Sequence, residues 1–145
     1  MSSIKSAFAI TAASVGAIAF TIGSAAPSHA GPGGKFNTIY SLTQGPCVAV
    51  VDTSINGNAY PASAGFTVGA NMIGVGSCDL TVTLHYRNKN NGATGTFDVH
   101  PHGPGYWMNS GPAAIVYLGA GSYTGWVTVN AASIGSSGQI DFDVP

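Results

Sequence analysis

The densest run of reactive side chains is Asp98-Val-His100-Pro-His102-Gly-Pro-Gly-Tyr106-Trp107-Met108. In an extended chain alternate residues share a face, so Asp98, His100 and His102 would point one way and Phe97 and Val99 the other. Pro101 is expected to end that strand and leave His102 just beyond it. Upstream, Asn90-Asn91-Gly92 signals a tight hairpin, because Asn and Gly tolerate positive φ. A turn centred on Asn91-Gly92 sets His85 opposite Asp98 and Thr83 opposite His100. Imidazoles and a carboxylate gathered there form a donor set for Zn²⁺, Cu²⁺ or Ni²⁺. His85, Asp98, His100 and His102 are therefore the candidate ligands of a copper or zinc site, with Met108 as a soft addition. The same residues also read as ordinary polar groups of a wet sheet face, with Asp98 pairing to His85.

Aromatic residues offer a second chemistry. In the run from Tyr123 to Ala131, inward Val127 and Val129 would turn Trp126 outward among Thr124, Thr128 and Asn130. An outward indole among hydroxyls suits stacking on a sugar ring or anchoring a protein partner. Trp107 and Tyr106, in a Gly/Pro-rich loop, are expected to join it as ligand-binding residues. Their plainer role is to cover a sheet edge or pack beneath loops.

Catalytic patterns are weak. The chain has no Glu, so glycoside hydrolysis would rest on outward Asp residues alone. No Gly-x-Ser-x-Gly elbow occurs, and no glycine pair is followed by the Lys-Ser/Thr of a phosphate loop. A non-catalytic protein is expected.

The elements that must position these groups begin after residue 30. Lys5, the apolar run from Ala7 to Ile22, and Ser28-His29-Ala30 follow the order of a secretory signal peptide cleaved after Ala30. A membrane span wants about 20 predominantly apolar residues, more than this diluted run supplies. Cleavage before His29 would instead leave an N-terminal histidine, but the small-x-small pattern favours Ala30. Residues 1–30 are thus read as signal peptide, 31–34 as a flexible leader and 35–145 as one domain, exported and without a later membrane span. In that oxidising setting Cys47 and Cys78 are expected as a disulfide, worth roughly 3–4 kcal/mol by loop closure.

Past residue 30 the cations are Lys35, Arg87 and Lys89, against Asp52, Asp79, Asp98, Asp141 and Asp143. Without a basic stripe, nucleic acid and anionic membranes are unfavourable partners. Short apolar runs punctuated by Gly, Asn, Ser and Pro predict an all-β antiparallel sandwich of about 7–8 strands. These fall near Lys35–Leu42, Cys47–Thr53, Ala64–Asn71, Cys78–Asn88, Thr94–His100, Ala114–Leu118, Tyr123–Ala131 and Gln139–Val144. No helical period occurs.

Leu118-Gly-Ala-Gly-Ser-Tyr123, followed by Val127 and Val129, resembles the tyrosine corner of immunoglobulin-like and fibronectin type III-like sandwiches. The resemblance covers about a dozen residues. It implies that the Tyr123 hydroxyl bonds back to upstream backbone and that Tyr123 is structural. The cysteines depart from the antibody pattern, since both precede Tyr123 by a long stretch. The expected function is a secreted binding or surface-interaction module for a protein or glycan. The alternatives are an exported metal-binding protein, or a small secreted hydrolase inhibitor presenting His102–Met108 as a wedge.

Overall fold

The computed structural model describes residues 31–145, and the expected signal peptide lies outside the described residues. Thirteen strands run in order. They are β1 (Gly33–Lys35), β2 (Ile39–Leu42), β3 (Val48–Tyr60), β4 (Ser63–Ile73), β5 (Cys78–Asp79), β6 (Val82–Asn88) and β7 (Thr94–Val99). There follow β8 (His102–Gly103), β9 (Gly105–Met108), β10 (Ile115–Tyr117), β11 (Gly121–Val129), β12 (Ser133–Ile134) and β13 (Gln139–Val144). All paired strands are antiparallel. No helix among the described residues is long and apolar enough to cross a membrane.

The count rises above eight for local reasons. Asn37-Thr38 divides the first expected strand, and Leu80-Thr81 divides the fourth. Gly33 and Gly34, expected in a flexible leader, instead pair with Asn56 and Ile55 of β3. The Gly/Pro-rich segment expected as a loop forms β8 and β9, which pair with β5 and β4.

The long β3–β4 hairpin is the centre of the larger sheet, ordered β10-β4-β3-β2-β12. β1 continues the line of β2 along β3, while β9 and β10 lie end to end along β4. The smaller sheet is β13-β11-β6-β7. Between them lies one apolar core, with Phe66, Met72, Val51 and Val68 from the larger sheet against Phe142, Leu84 and Val82 from the smaller. These are the inward members of each alternation. Burying such a side chain stabilises by roughly 1.5–3 kcal/mol, which is why the alternation dictates which face turns in. Across the core Phe66 meets Phe97 edge to face at 6.5 Å.

Two fasteners hold the sandwich. Cys47 and Cys78 form a disulfide with Cα atoms 5.9 Å apart, tying the start of β3 to β5. Tyr123, buried and stacked on Phe142 at 5.6 Å, donates its hydroxyl to the Leu118 carbonyl at 2.5 Å, with the Gly119 carbonyl at 3.0 Å. That is the back-bond the tyrosine-corner resemblance implies.

Candidate functional site

The β6–β7 hairpin decides what the reactive residues can do. Thr83 lies opposite Asp98, Leu84 opposite Phe97 and His85 opposite Thr96, so the register differs by two residues from a turn centred on Asn91-Gly92. The cause is Asn88. Its carboxamide oxygen accepts the backbone N–H of Asn90 and Asn91 at 2.8 and 3.3 Å, while its own N–H meets the Ala93 carbonyl. The hairpin therefore closes through a four-residue loop, 89–92, rather than a two-residue one.

With that register the outer face of the smaller sheet reads as rows across its strands. One row holds Gln139, Trp126, His85 and Thr96; its neighbour holds Thr128, Thr83 and Asp98. The His85 imidazole lies flat against the Trp126 indole, centroids 5.3 Å apart and planes 5° from parallel. Its Nε2 is 2.7 Å from the Thr128 hydroxyl oxygen. Asp98 accepts the Thr83 hydroxyl at 2.7 Å, and His100 Nδ1 is 3.2 Å from the Thr81 hydroxyl oxygen.

The four expected metal ligands are accordingly not brought together. His85 is engaged by Trp126 and Thr128, Asp98 by Thr83, and His100 by Thr81. His102 leaves with the chain after buried Pro101 and pairs in β8 with Asp79, its ring edge to Trp107 at 6.0 Å. Among the described residues no three His, Cys, Asp or Glu side chains group closely enough for a metal ion. The expected copper or zinc constellation is corrected on that geometry.

The aromatic trio is also divided. Tyr106 and Trp107 are neighbours in β9 and point to opposite faces. Trp107, opposite Ala70, packs half-buried against the core. Tyr106 turns outward on the larger sheet, 70% exposed, where a Cβ on Gly69 would stand 3.0 Å from its hydroxyl. Trp126 is on the outer face of the other sheet, so Tyr106 and Trp126 lie on opposite sides of the molecule. The segment from His102 to Met108, expected as a loop, is stitched into two strands.

What remains around Trp126 is a coherent polar surface. With His85 covering one side of the indole, the other side borders a groove of about 410 Å³ formed with Thr128, Ser136, Gly138 and Gln139. The groove floor is fixed by Ser137, whose hydroxyl oxygen accepts the Val127 N–H at 2.9 Å and whose hydroxyl donates to the Gly138 carbonyl at 2.7 Å. Further along the same face, Thr124 donates to Asp141 at 2.6 Å and Lys89 approaches the same carboxylate at 2.9 Å. The Thr124 hydrogen bond, ahead of the Lys89 contact, holds the Asp141 carboxyl below its ordinary range. Ser122 likewise donates to Asp143 at 2.5 Å.

A second surface has no counterpart among the expected site residues. The outer face of the larger sheet carries Leu42, Val48 and Ile73 in one row and Ile134, Tyr40, Val50, Asn71 and Tyr106 in the next. A groove of about 400 Å³ runs between Tyr40, Leu42, Val48 and Ile134. The signal was present in Val48-Ala-Val-Val51, a continuous apolar run where one-sided burial predicts alternation.

Comparison with known proteins returned no match to a family model, a curated protein or a solved structure.

Proposed function

We propose that this chain is a secreted, non-catalytic binding module on an immunoglobulin-like sandwich, and that its Trp126 face takes a glycan. The observation that carries the reading is the Trp126–His85 stack at the centre of a hydroxyl-bearing sheet face beside an open polar groove. The imidazole holds the indole at a set angle, which lowers the ordering cost of binding. A sugar ring offers an apolar C–H face to such an indole, and its hydroxyls find donors and acceptors in Thr128, Ser136 and Gln139. The use of the carboxylates supports the non-catalytic reading. Asp98, Asp141 and Asp143 each accept a hydroxyl from the neighbouring strand, an arrangement suited to fixing a surface. The Tyr123 back-bond supports the immunoglobulin-like assignment, and the disulfide fits export.

The test is retention on a panel of immobilised polysaccharides and cell-wall preparations, with Trp107→Phe as background so that Trp126 alone reports by fluorescence. Trp126→Ala should weaken binding at least about 10-fold, the scale of one lost aromatic contact. His85→Ala should give a smaller loss, by loosening the indole. Equal retention of wild type and Trp126→Ala, or no retention on any glycan, overturns the reading.

A further inference from the structure

We infer that the outer face of the larger sheet is a self-association surface, on which two copies of this chain stack sheet to sheet about a twofold axis. Tyr40, Leu42, Val48, Ile73, Tyr106 and Ile134 occupy adjoining positions there, each between 48% and 78% exposed. Together they expose on the order of 700 Å² of residue surface, most of it apolar, against the ~300–600 Å² of the largest apolar patch on an ordinary monomer. That area approaches the ~800 Å² each partner buries in a standard protein interface.

The chemistry of the face selects a second copy over other occupants. No charged side chain lies within its two apolar rows, and the charges of the row beyond, Asp52 and Lys35, are paired with each other at 3.2 Å, so the face offers little net charge by which to choose a partner. A neutral apolar sheet is complementary to itself, as a twofold interface requires. Besides the hydroxyls of Tyr40 and Tyr106, the polar group in the second row is exposed Asn71, whose amide carries both donors and an acceptor and can therefore pair with its own copy. An anionic lipid surface would need free cations at the rim. Instead Lys35 is paired with Asp52 at 3.2 Å, and Lys89 is bonded to Asp141 on the other sheet. Face-to-face stacking of two sheets is also an ordinary packing mode, at about 10 Å separation.

Sedimentation of the purified protein over about 1–200 µM tests this directly. The expected result is a monomer–dimer equilibrium with Kd of roughly 10 µM or tighter. Ile73→Lys and, separately, Ile134→Lys should each weaken it about 100-fold or more, whereas Thr96→Lys on the smaller sheet should leave it unchanged. Ile134 lies in a two-residue edge strand and is 78% exposed, so its variant keeps the test open should Ile73→Lys misfold. A wild-type monomer at ~200 µM overturns the inference, as does a dimer that survives both lysines or one that Thr96→Lys dissociates. A monomer that binds vesicles of phosphatidylcholine and phosphatidylglycerol overturns it in favour of a lipid surface. The inference stands apart from glycan recognition, since monomeric Ile134→Lys should keep whatever glycan retention the wild type has.

Discussion

The two outer faces of this sandwich arise from one rule, the alternation of side chains along antiparallel strands, yet they carry opposite chemistry. On the smaller sheet the outward positions hold Thr81, Thr83, His85, Thr96, Trp126 and Thr128, and neighbouring strands exchange hydrogen bonds between them. On the larger sheet two adjoining rows hold Tyr40, Leu42, Val48 and Ile73, almost wholly apolar, and the hydrogen-bonded Thr38–Asp52–Lys35 group stands only in the row beyond. The polar face satisfies itself and leaves one aromatic platform beside a groove. The apolar face gains only by removing its area from water, which needs a second surface. The same backbone therefore presents directional hydrogen-bonding groups on one side and a mainly apolar surface on the other. Stacked through their larger sheets, two copies would turn both Trp126 faces outward and make the assembly bivalent for a repeating ligand.

The comparison assumes that both faces belong to one cooperative unit, and the largest predicted effect tests that assumption. Replacing Cys47 and Cys78 by Ser removes the bridge across a sequence separation of 31 residues. The expected loss is about 3–4 kcal/mol in denaturant unfolding. Because the core is continuous between the sheets, Trp126 fluorescence in a Trp107→Phe background and far-UV dichroism should change at one midpoint. Separate midpoints would mean that the two faces belong to independently stable sheets.

A smaller effect should come from Tyr123→Phe, which removes the hydroxyl held by Leu118 and Gly119 while leaving the ring against Phe142. About 1 kcal/mol of stability should go, the usual net worth of such a bond. Neither face should change its binding, because Tyr123 points into the core. Altered self-association or glycan retention in this variant would show that the core transmits between the faces.

How the sequence forecasts this molecule depends on range. The alternation in β6, β11 and β13 is legible because one-sided burial writes a period of two directly into the residues, and that period turns Trp126 outward. The disulfide is legible from an even cysteine count in a chain expected to be exported. The metal constellation fails for two reasons: Asn88 captures two N–H groups, lengthens the turn and moves His85 two residues away from Asp98, and beyond Pro101 the chain carries His102 off to Asp79 in β5. The Gly and Pro around Tyr106 and Trp107 point to a loop. Nothing local reveals that β4 has a free edge that recruits them as β9. The apolar face is hidden from sequence for a related reason: a continuous run such as Val48–Val51 does not say whether its outward half is covered by the same chain.

If the faces act independently, their defects should add. Trp126→Ala and Leu42→Lys sit on opposite sides of two sheets that pack about 10 Å apart. In the double variant the stability changes should sum within about 0.5 kcal/mol, and glycan and dimer affinities should each match the corresponding single variant. A larger interaction term would show that dimerisation orders the Trp126 groove, and the comparison would become one of coupled sites.

The smallest predicted effect concerns a motif that both faces share. Thr38 donates to Asp52 at 2.6 Å with Lys35 at 3.2 Å, and Thr124 donates to Asp141 at 2.6 Å with Lys89 at 2.9 Å. In each case the Thr hydrogen bond is the chief cause that lowers the carboxyl below its ordinary 3.8, with the lysine assisting. A carboxyl depressed in the folded state contributes stability that is fully present above its unfolded value and disappears as pH falls through the folded one. Stability should therefore decline as pH drops below about 4, and Asp52→Asn and Asp141→Asn should each flatten that decline. Both carboxylates are nearly half exposed, so each contribution is small. Salt separates the two causes, because it screens the lysine and leaves the hydroxyl in place. Thr38→Val and Thr124→Val should accordingly flatten the acid limb more than added salt does. The reverse order would assign these carboxylates to their lysines, and the resemblance between the two faces would then be one of charge pairing alone.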